Sequence, residues 1–248
     1  MLNGLWKLTW VETKVFVREP MGFFGSLAVP VILFVVLGRV LGSRPQIPAP
    51  TPAAAPFNVA ILAAIFIAIG AVLSLISIMS IYREGGILKR LRATPLSPLT
   101  ILGAHVLVKL MFTVVGMALL VLAGRQFFPG AMQVNLLGFT AALLLSTLSI
   151  LSLGFVLASI VPTARFAQPL GAAVLYPMLA VSGLFFPLAG LPPVVRIIAQ
   201  AFPTTHAVAL MQGVWDGSGF AAQWGDVGAL ILIFVVCSGL AARVFRWE

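Results

Sequence analysis

Long runs of uninterrupted apolar residues, divided by short polar or proline-rich stretches, set the pattern of this chain. Six such runs cover residues 21–41, 57–81, 99–123, 134–161, 166–186 and 226–245. Each is close to or above the roughly 20 residues that a helix needs to cross the hydrocarbon core of a bilayer. The runs lack the apolar–polar alternation of a barrel strand, which excludes a transmembrane β-barrel. The predicted fold is all-α and integral to a membrane: one domain, residues 1–248, with six transmembrane helices.

The stretches between the runs carry the polar information. Residues 2–19 predict an amphipathic helix ahead of the first span. At about 100° per residue, Lys7, Lys14 and Arg18 fall within roughly 40° of one another, and Trp6 and Trp10 suit the headgroup layer. Such a helix lies along the inner membrane surface, either as a lipid anchor or as a face on which a partner docks. Between the second and third runs, the segment 83–95 holds Arg83, Lys89, Arg90 and Arg92 together with Glu84. Residues 87–94 read as a short helix with Ile87, Leu88 and Leu91 on one side and Lys89, Arg90 and Arg92 largely on the other. Pro95 ends it, because proline disfavours helix in the residue before it and cannot continue the hydrogen-bond ladder. Residues 45–56 are proline-rich and uncharged, an extended connector. Ser182-Gly183-Leu184-Phe185-Phe186-Pro187 breaks the fifth run, and residues 187–225 then hold helical patterns at 191–201 and 205–215. These outer helices re-enter the membrane or lie on its outer leaflet.

Composition agrees: 61% of residues are hydrophobic and 8% charged, outside the range of a soluble domain. A net charge of +9 would point to nucleic acid in a soluble protein, but here it follows from topology. With the N-terminus inside, Lys7, Lys14, Arg18, Arg83, Lys89, Arg90, Arg92, Arg165, Arg243 and Arg246 are cytoplasmic, against Arg39, Arg44, Arg125 and Arg196 outside. That bias predicts cytoplasmic N- and C-termini. The single Cys237 excludes an internal disulfide, and the acidic residues ahead of the first run argue against a cleavable signal peptide.

Catalytic chemistry is thinly supplied. Of the six carboxylates, Glu12, Glu19, Asp216 and Glu248 fall outside the predicted spans, Glu84 opens the cationic segment and Asp226 sits at a helix end. No pair of acids faces inward from neighbouring spans, which disfavours a carrier driven by intramembrane carboxylates. His105 and His206 fall on opposite sides of the membrane, and no cluster has metal-ligand spacing. No lysine follows a glycine, so the chain has no P-loop, and ATP-driven work would need another subunit. An enzyme is therefore not expected. His105 and Lys109 share one face of the third span. They either contact substrate along a pathway or act structurally, with Lys109 snorkelling to the headgroups and His105 bonding a neighbouring helix; the second reading is preferred. Ser74 and Ser77, and Ser146, Ser149 and Ser152, repeat at three-residue spacing, which marks close helix packing or, alternatively, a pathway lining. Gly22, Gly25 and Ala28 give the first span a packing or dimer face.

Two motifs carry a resemblance. Glu84, Gly86, Leu88, Arg90, Leu91, Thr94 and Pro95 match the Glu-x-Gly turn and Leu-x-Arg-Leu-x-x-Thr-Pro helix of the type-2 ATP-binding-cassette (ABC) transporter permeases, the class that includes daunorubicin-type drug-resistance exporters. Ser182-Gly183-Leu184-Phe185-Phe186-Pro187, Leu191-Pro192 and Pro203-Thr204-Thr205-His206 match a second motif in the same order. The resemblance covers essentially the whole chain. It implies a permease subunit that pairs with two copies of a separate ATPase, which holds ATP and Mg, and with a second permease copy, identical or similar. Glu84, Gly86, Leu88, Lys89, Arg90, Leu91, Arg92, Thr94 and Pro95 would form the coupling segment in an ATPase cleft, with the N-terminal helix packed beside it. Phe185, Phe186, Pro187, Pro203 and His206 would belong to an outer gate.

The function so implied is export of a hydrophobic or amphipathic compound, such as a drug, lipid or lipid-linked glycan, across the plasma membrane. Ser74, Ser77, His105, Lys109, Ser146 and Ser149 are candidate pathway residues. Membrane lipids, not nucleic acid, are the remaining partners. An ATP-driven permease for an ion or another small solute is the nearest alternative, ahead of a membrane lipid-modifying enzyme or a non-transporting scaffold.

Overall fold

The computed structural model describes residues 2–18, 20–42, 58–86, 98–127, 135–161, 163–185 and 187–244. Among these there is no strand, and the helices are α1 (Leu2–Arg18), α2 (Pro20–Gly42), α3 (Val59–Glu84), α4 (Pro98–Phe127), α5 (Leu136–Ile160), α6 (Ala164–Ala180), α7 (Pro193–Gln200), α8 (Pro203–Trp215), α9 (Gly219–Ala222) and α10 (Trp224–Val244). The all-α membrane fold read from the sequence is the fold found. Five helices, α2 to α5 and α10, are long and apolar enough to span a bilayer. Counting the bent pair α7–α8 as one broken span gives a sixth.

The fifth predicted run forms α6, which stops at Ala180, short of the expected end at 186. Its 17 residues are roughly 26 Å of helix, the short limit for crossing. The early stop has a local cause. The Ser182 hydroxyl donates to Leu179 O (2.7 Å) and Gly183 takes φ +90°, so the chain turns away from the helix axis. Pro169 and Pro177 also lie inside α6. By contrast α5 is well terminated: the Asn135 side chain accepts from the Gly138 amide (3.1 Å), and Val161 is extended, as suits a residue preceding proline.

α3 and α5 form the centre. α3 packs against α2, α4, α5, α6 and α8, while α5 also packs on α8 and α10. Lipid tails are as apolar as leucine, so helices in a membrane associate by close packing and hydrogen bonds rather than by escape from water. Small residues permit the approach. A Cβ at Gly154 would lie 2.8 Å from Val72 Cγ1, one at Gly171 2.8 Å from Leu73 Cδ2, and one at Gly70 3.4 Å from Ser26 Cα. Ser149, one of the hydroxyls at three-residue spacing, donates across helices to Leu230 O (3.0 Å).

α1 is tied to the bundle as well as amphipathic. Lys7, Lys14 and Arg18 are exposed, and so are Trp6 and Trp10, as the sequence predicts. The opposite face buries Thr9, Glu12 and Phe16 against α4 and α2. Phe16 meets Phe112 at 4.5 Å and Phe23 at 6.1 Å between ring centroids.

The helices that follow α6 divide between two arrangements. α8 buries Val208, Leu210 and Met211 among α3, α5 and α10, so it re-enters the bundle. α7, set at 83° to it, exposes Val194, Ile197 and Ile198, an apolar face suited to the interfacial layer.

Candidate functional site

Three groups of polar residues stand out against the apolar bundle. The first closes the carboxyl end of α3. Gly85 N bonds Ile81 O (2.9 Å) and Gly86 takes φ +66°. That left-handed conformation is one glycine adopts at little cost, and it ends the helix. Arg83 and Glu84, just before the turn, grip the neighbouring α5–α6 connection. Arg83 Nη1 donates to Val161 O (2.8 Å) and Nη2 to Ala158 O (2.9 Å), capping the carbonyl end of α5. Glu84 Oε1 accepts from the Ala164 amide (2.9 Å) at the amino end of α6. Each charge faces the helix end whose dipole attracts it. Glu84 thus has a structural partner within the chain, where the resemblance assigned it to coupling. Leu88, Lys89, Arg90, Leu91, Arg92, Thr94 and Pro95 lie outside the described residues.

The second group is a buried polar cluster where α1, α3 and α4 meet. The Tyr82 hydroxyl donates to both oxygens of Glu12, at 2.8 and 3.1 Å. His105 Nδ1 lies 3.5 Å from Glu12 Oε2, and the Tyr82 and His105 rings meet edge-on at 5.5 Å. One turn along α4, Lys109 Nζ sits 4.0 Å from the Phe16 ring centroid and donates to Ser74 Oγ (2.6 Å). His105 and Lys109 are 2% and 3% exposed, so Lys109 does not snorkel: its ammonium is held inside the bundle. It is turned instead to Ser74 of α3 and to the Phe16 ring of α1. His105 does contact a neighbouring helix, as the structural reading expected.

Glu12 is the member that sequence reasoning passed over. Its signal was angular. On a 100° wheel it falls roughly 140° from the Lys7, Lys14 and Arg18 stripe, among Thr9 and Phe16, a carboxylate on the apolar side. Burial pushes its carboxyl above the ordinary carboxylate range, opposed by the Tyr82 hydrogen bond and the Lys109 charge. A raised folded-state value means that folding favours the protonated acid. That contribution is full below the ordinary value of 4.5 and fades as the pH rises through the folded-state value. The thermal midpoint of the purified protein should therefore fall with pH above 4.5, and the Glu12→Gln variant, which retains an acceptor for Tyr82, should fall less. Equal slopes for the two proteins would refute the assignment.

The third group lines a cleft of about 250 Å³ between α2, α3 and α6. Ser74 and Ser77 lie in it, with Ser26, Gln168 and Tyr176. Ser146 and Ser149 do not: both are fully buried within α5, Ser149 in its bond to Leu230 O. Of the six candidate pathway residues, the structure brings Ser74 and Ser77 to the cleft, His105 and Lys109 behind it, and the other two elsewhere.

At the opposite end, Pro203 is the first residue of α8 and is buried. Thr204 and Thr205 donate to Met178 O (3.0 Å) and Ala199 O (2.6 Å), fixing α8 to α6 and to α7. His206 Nδ1 lies 2.7 Å from Asp226 Oδ1, and its Nε2 lies 2.8 Å from Gln200 O. Both contacts are complete as hydrogen bonds when both ring nitrogens carry a proton. The first ties α8 to the first turn of α10, where a carboxylate also suits the helix dipole, and the second ties α8 to the end of α7. Phe185 is exposed and Pro187 precedes a short 3₁₀ turn, Leu188–Gly190; Phe186 lies outside the described residues.

Comparison with known proteins gives the family. The family model described as ABC-2 type transporter matches residues 3–215, which take in α1 to α8 and all three polar groups. No curated protein matches the chain.

Proposed function

From the premise that this chain belongs to the ABC-2 type transporter family, and is therefore a multi-pass transmembrane permease subunit that associates with an ABC ATPase, we propose that it exports an amphipathic compound across the plasma membrane. The observation that carries the reading is the cleft between α2, α3 and α6, whose lining mixes hydroxyl and amide groups with aliphatic walls. Such a surface suits a solute with both a polar and an apolar part. The nearest alternative weighed on sequence, a permease for an ion or another small solute, makes less use of these apolar walls.

In this reading two ATPase copies bind and hydrolyse ATP with Mg, and a second permease copy completes the route. The α2 and α6 faces are the candidates for that symmetric contact. On α2, a Cβ at Gly25 would meet nothing within 4 Å, so a second backbone can come close there. Both termini are cytoplasmic, by the excess of Lys and Arg on that side. The segment 83–95 enters the ATPase cleft, and the Arg83–Glu84 clamp carries its displacement to α5 and α6. The outer segment from Phe185 to His206 forms the exit gate.

Inverted membrane vesicles carrying the chain test this reading. With the cognate ATPase and ATP supplied from outside, they should accumulate a fluorescent amphiphile, because the cytoplasmic face then points outward. Charge reversal at Arg90 and Arg92 should release the ATPase and reduce uptake at least about tenfold, as expected when several charge-assisted contacts are lost. Unchanged ATPase retention in the double variant, or ATPase binding only to right-side-out vesicles, would overturn it.

A further inference from the structure

The cleft between α2, α3 and α6 carries a polar patch, Ser74, Ser77 and Gln168, with Phe66 and Ile69 before it along α3 and Ile78 and Ile81 after it. Among the described residues no acidic or basic side chain lines it. A cation nevertheless acts on that patch from behind. Lys109 Nζ donates to Ser74 Oγ at 2.6 Å, and an ammonium can only donate. Ser74 is therefore an acceptor toward Lys109, and its own proton meets no acceptor among the described residues. Ser77, one turn away on the same helix, has a buried Oγ with no hydrogen-bond partner among them. The polar patch thus holds hydroxyl donors, one of them polarised by a buried ammonium.

The charge around that ammonium has a direction. Glu12 approaches His105 and Tyr82, one helical turn nearer the start of α4, while Lys109 reaches toward the cleft. The pair is a dipole whose positive end faces Ser74. A donor-rich site with a positive field and low dielectric favours anionic oxygen and disfavours a cation.

We propose that the cleft selects amphiphiles whose polar head bears anionic oxygen, a phosphate, sulfonate or carboxylate, with Ser74 and Lys109 as the residues that set this preference. The inference rests on the reading of the cleft as part of the translocation route. The apolar tail lies along Phe66 and Ile69, and the head meets Ser74 and Ser77. Lys109 acts through Ser74 and is a positioning residue.

Photoreactive dodecyl probes with phosphate, hydroxyl or trimethylammonium heads, applied to the full chain in nanodiscs, test it. Cross-links are mapped by mass spectrometry and saturation is followed with concentration. The phosphate probe should label the cleft stretch of α3 at about tenfold lower concentration than the trimethylammonium probe, the size of effect one charge-assisted hydrogen bond gives. Ser74→Ala should remove most of that difference while leaving the hydroxyl probe unchanged, and Lys109→Met should do the same. Inorganic phosphate should not compete, because it lacks the tail. Equal labelling by the three heads, or an unaltered phosphate preference in Ser74→Ala, overturns the selectivity and leaves the export reading standing. Absence of cleft labelling by every probe overturns both.

Discussion

Replacing Gly154 with alanine is expected to destabilise the bundle by about 1–3 kcal/mol, the usual cost of overpacking a close contact, whereas Gly171→Ala should be close to neutral. In both cases the added Cβ comes within 2.8 Å of an α3 side chain. At Gly154 the obstacle is Val72 Cγ1, with Val72 Cβ at 3.7 Å behind it. A β-branched side chain on a helix has one strongly preferred rotamer, so it cannot swing away. At Gly171 the nearest atom is Leu73 Cδ2, the free end of a longer side chain, followed by Ile76 Cδ1 at 3.2 Å. Both substitutions replace glycine by alanine within a helix and gain the same propensity, about 1 kcal/mol. The difference between them therefore isolates the contact. Thermal midpoints in one detergent give the ranking, and a Gly171 variant less stable than the Gly154 variant would contradict this account of α3.

Loss of Arg83 should be the most damaging single change at the carboxyl end of α3. Its guanidinium makes two charge-assisted bonds to the last turn of α5, at 2.8 and 2.9 Å. Bonds of this kind contribute about 1.5–3 kcal/mol each where water is excluded, and Arg83 is only half-buried, so Arg83→Met should cost about 2 kcal/mol locally. Arg83→Lys should fall between, because a point-charge ammonium cannot reproduce the planar fork. Glu84→Gln should cost less than 1 kcal/mol or so, since its single bond to the Ala164 amide is exposed. Hydrogen exchange at residues 161–166 reads the effect directly. Faster exchange there in Arg83→Met, with α3 itself unchanged, is the expected result; unaltered protection would show that the clamp holds nothing.

The spans were legible because their signal is local and redundant. A run such as Leu136–Ile160, with 25 residues and no charge, has one physical solution in a bilayer. α6 was misjudged at its far end because the apolar residues Leu184 and Phe185 continue the hydropathy of the run, while Gly183 turns the backbone. Hydropathy counts side chains and does not register a left-handed φ. Lys109 was placed on the same face as His105, but its partner was hidden. That partner is 35 positions away, and Glu12 and Tyr82 are separated by 70. Periodicity assigns a residue to a face of its own helix but says nothing about which helix lies opposite. The same limit applied to Arg83, which read as one more loop charge, whereas α5 ends and α6 begins beside it.

The two prolines of α6 bear on how the chain is made. Each removes an N–H donor and leaves a carbonyl of the preceding turn without its helical partner, in a solvent that offers no water. With Arg165 and Gln168 in the same 17 residues, α6 has little to draw it into lipid unaided. Synthesis runs from the N-terminus, so α3 already stands in the membrane when the α5–α6 turn emerges. Arg83 and Glu84 are then a waiting receptor for that turn, and α5, long and apolar, can carry its weaker neighbour in as a hairpin. The contact that clamps the α5–α6 turn in the finished bundle thus also bears on biogenesis, in which the marginal helix enters after α3 and against a prepared surface.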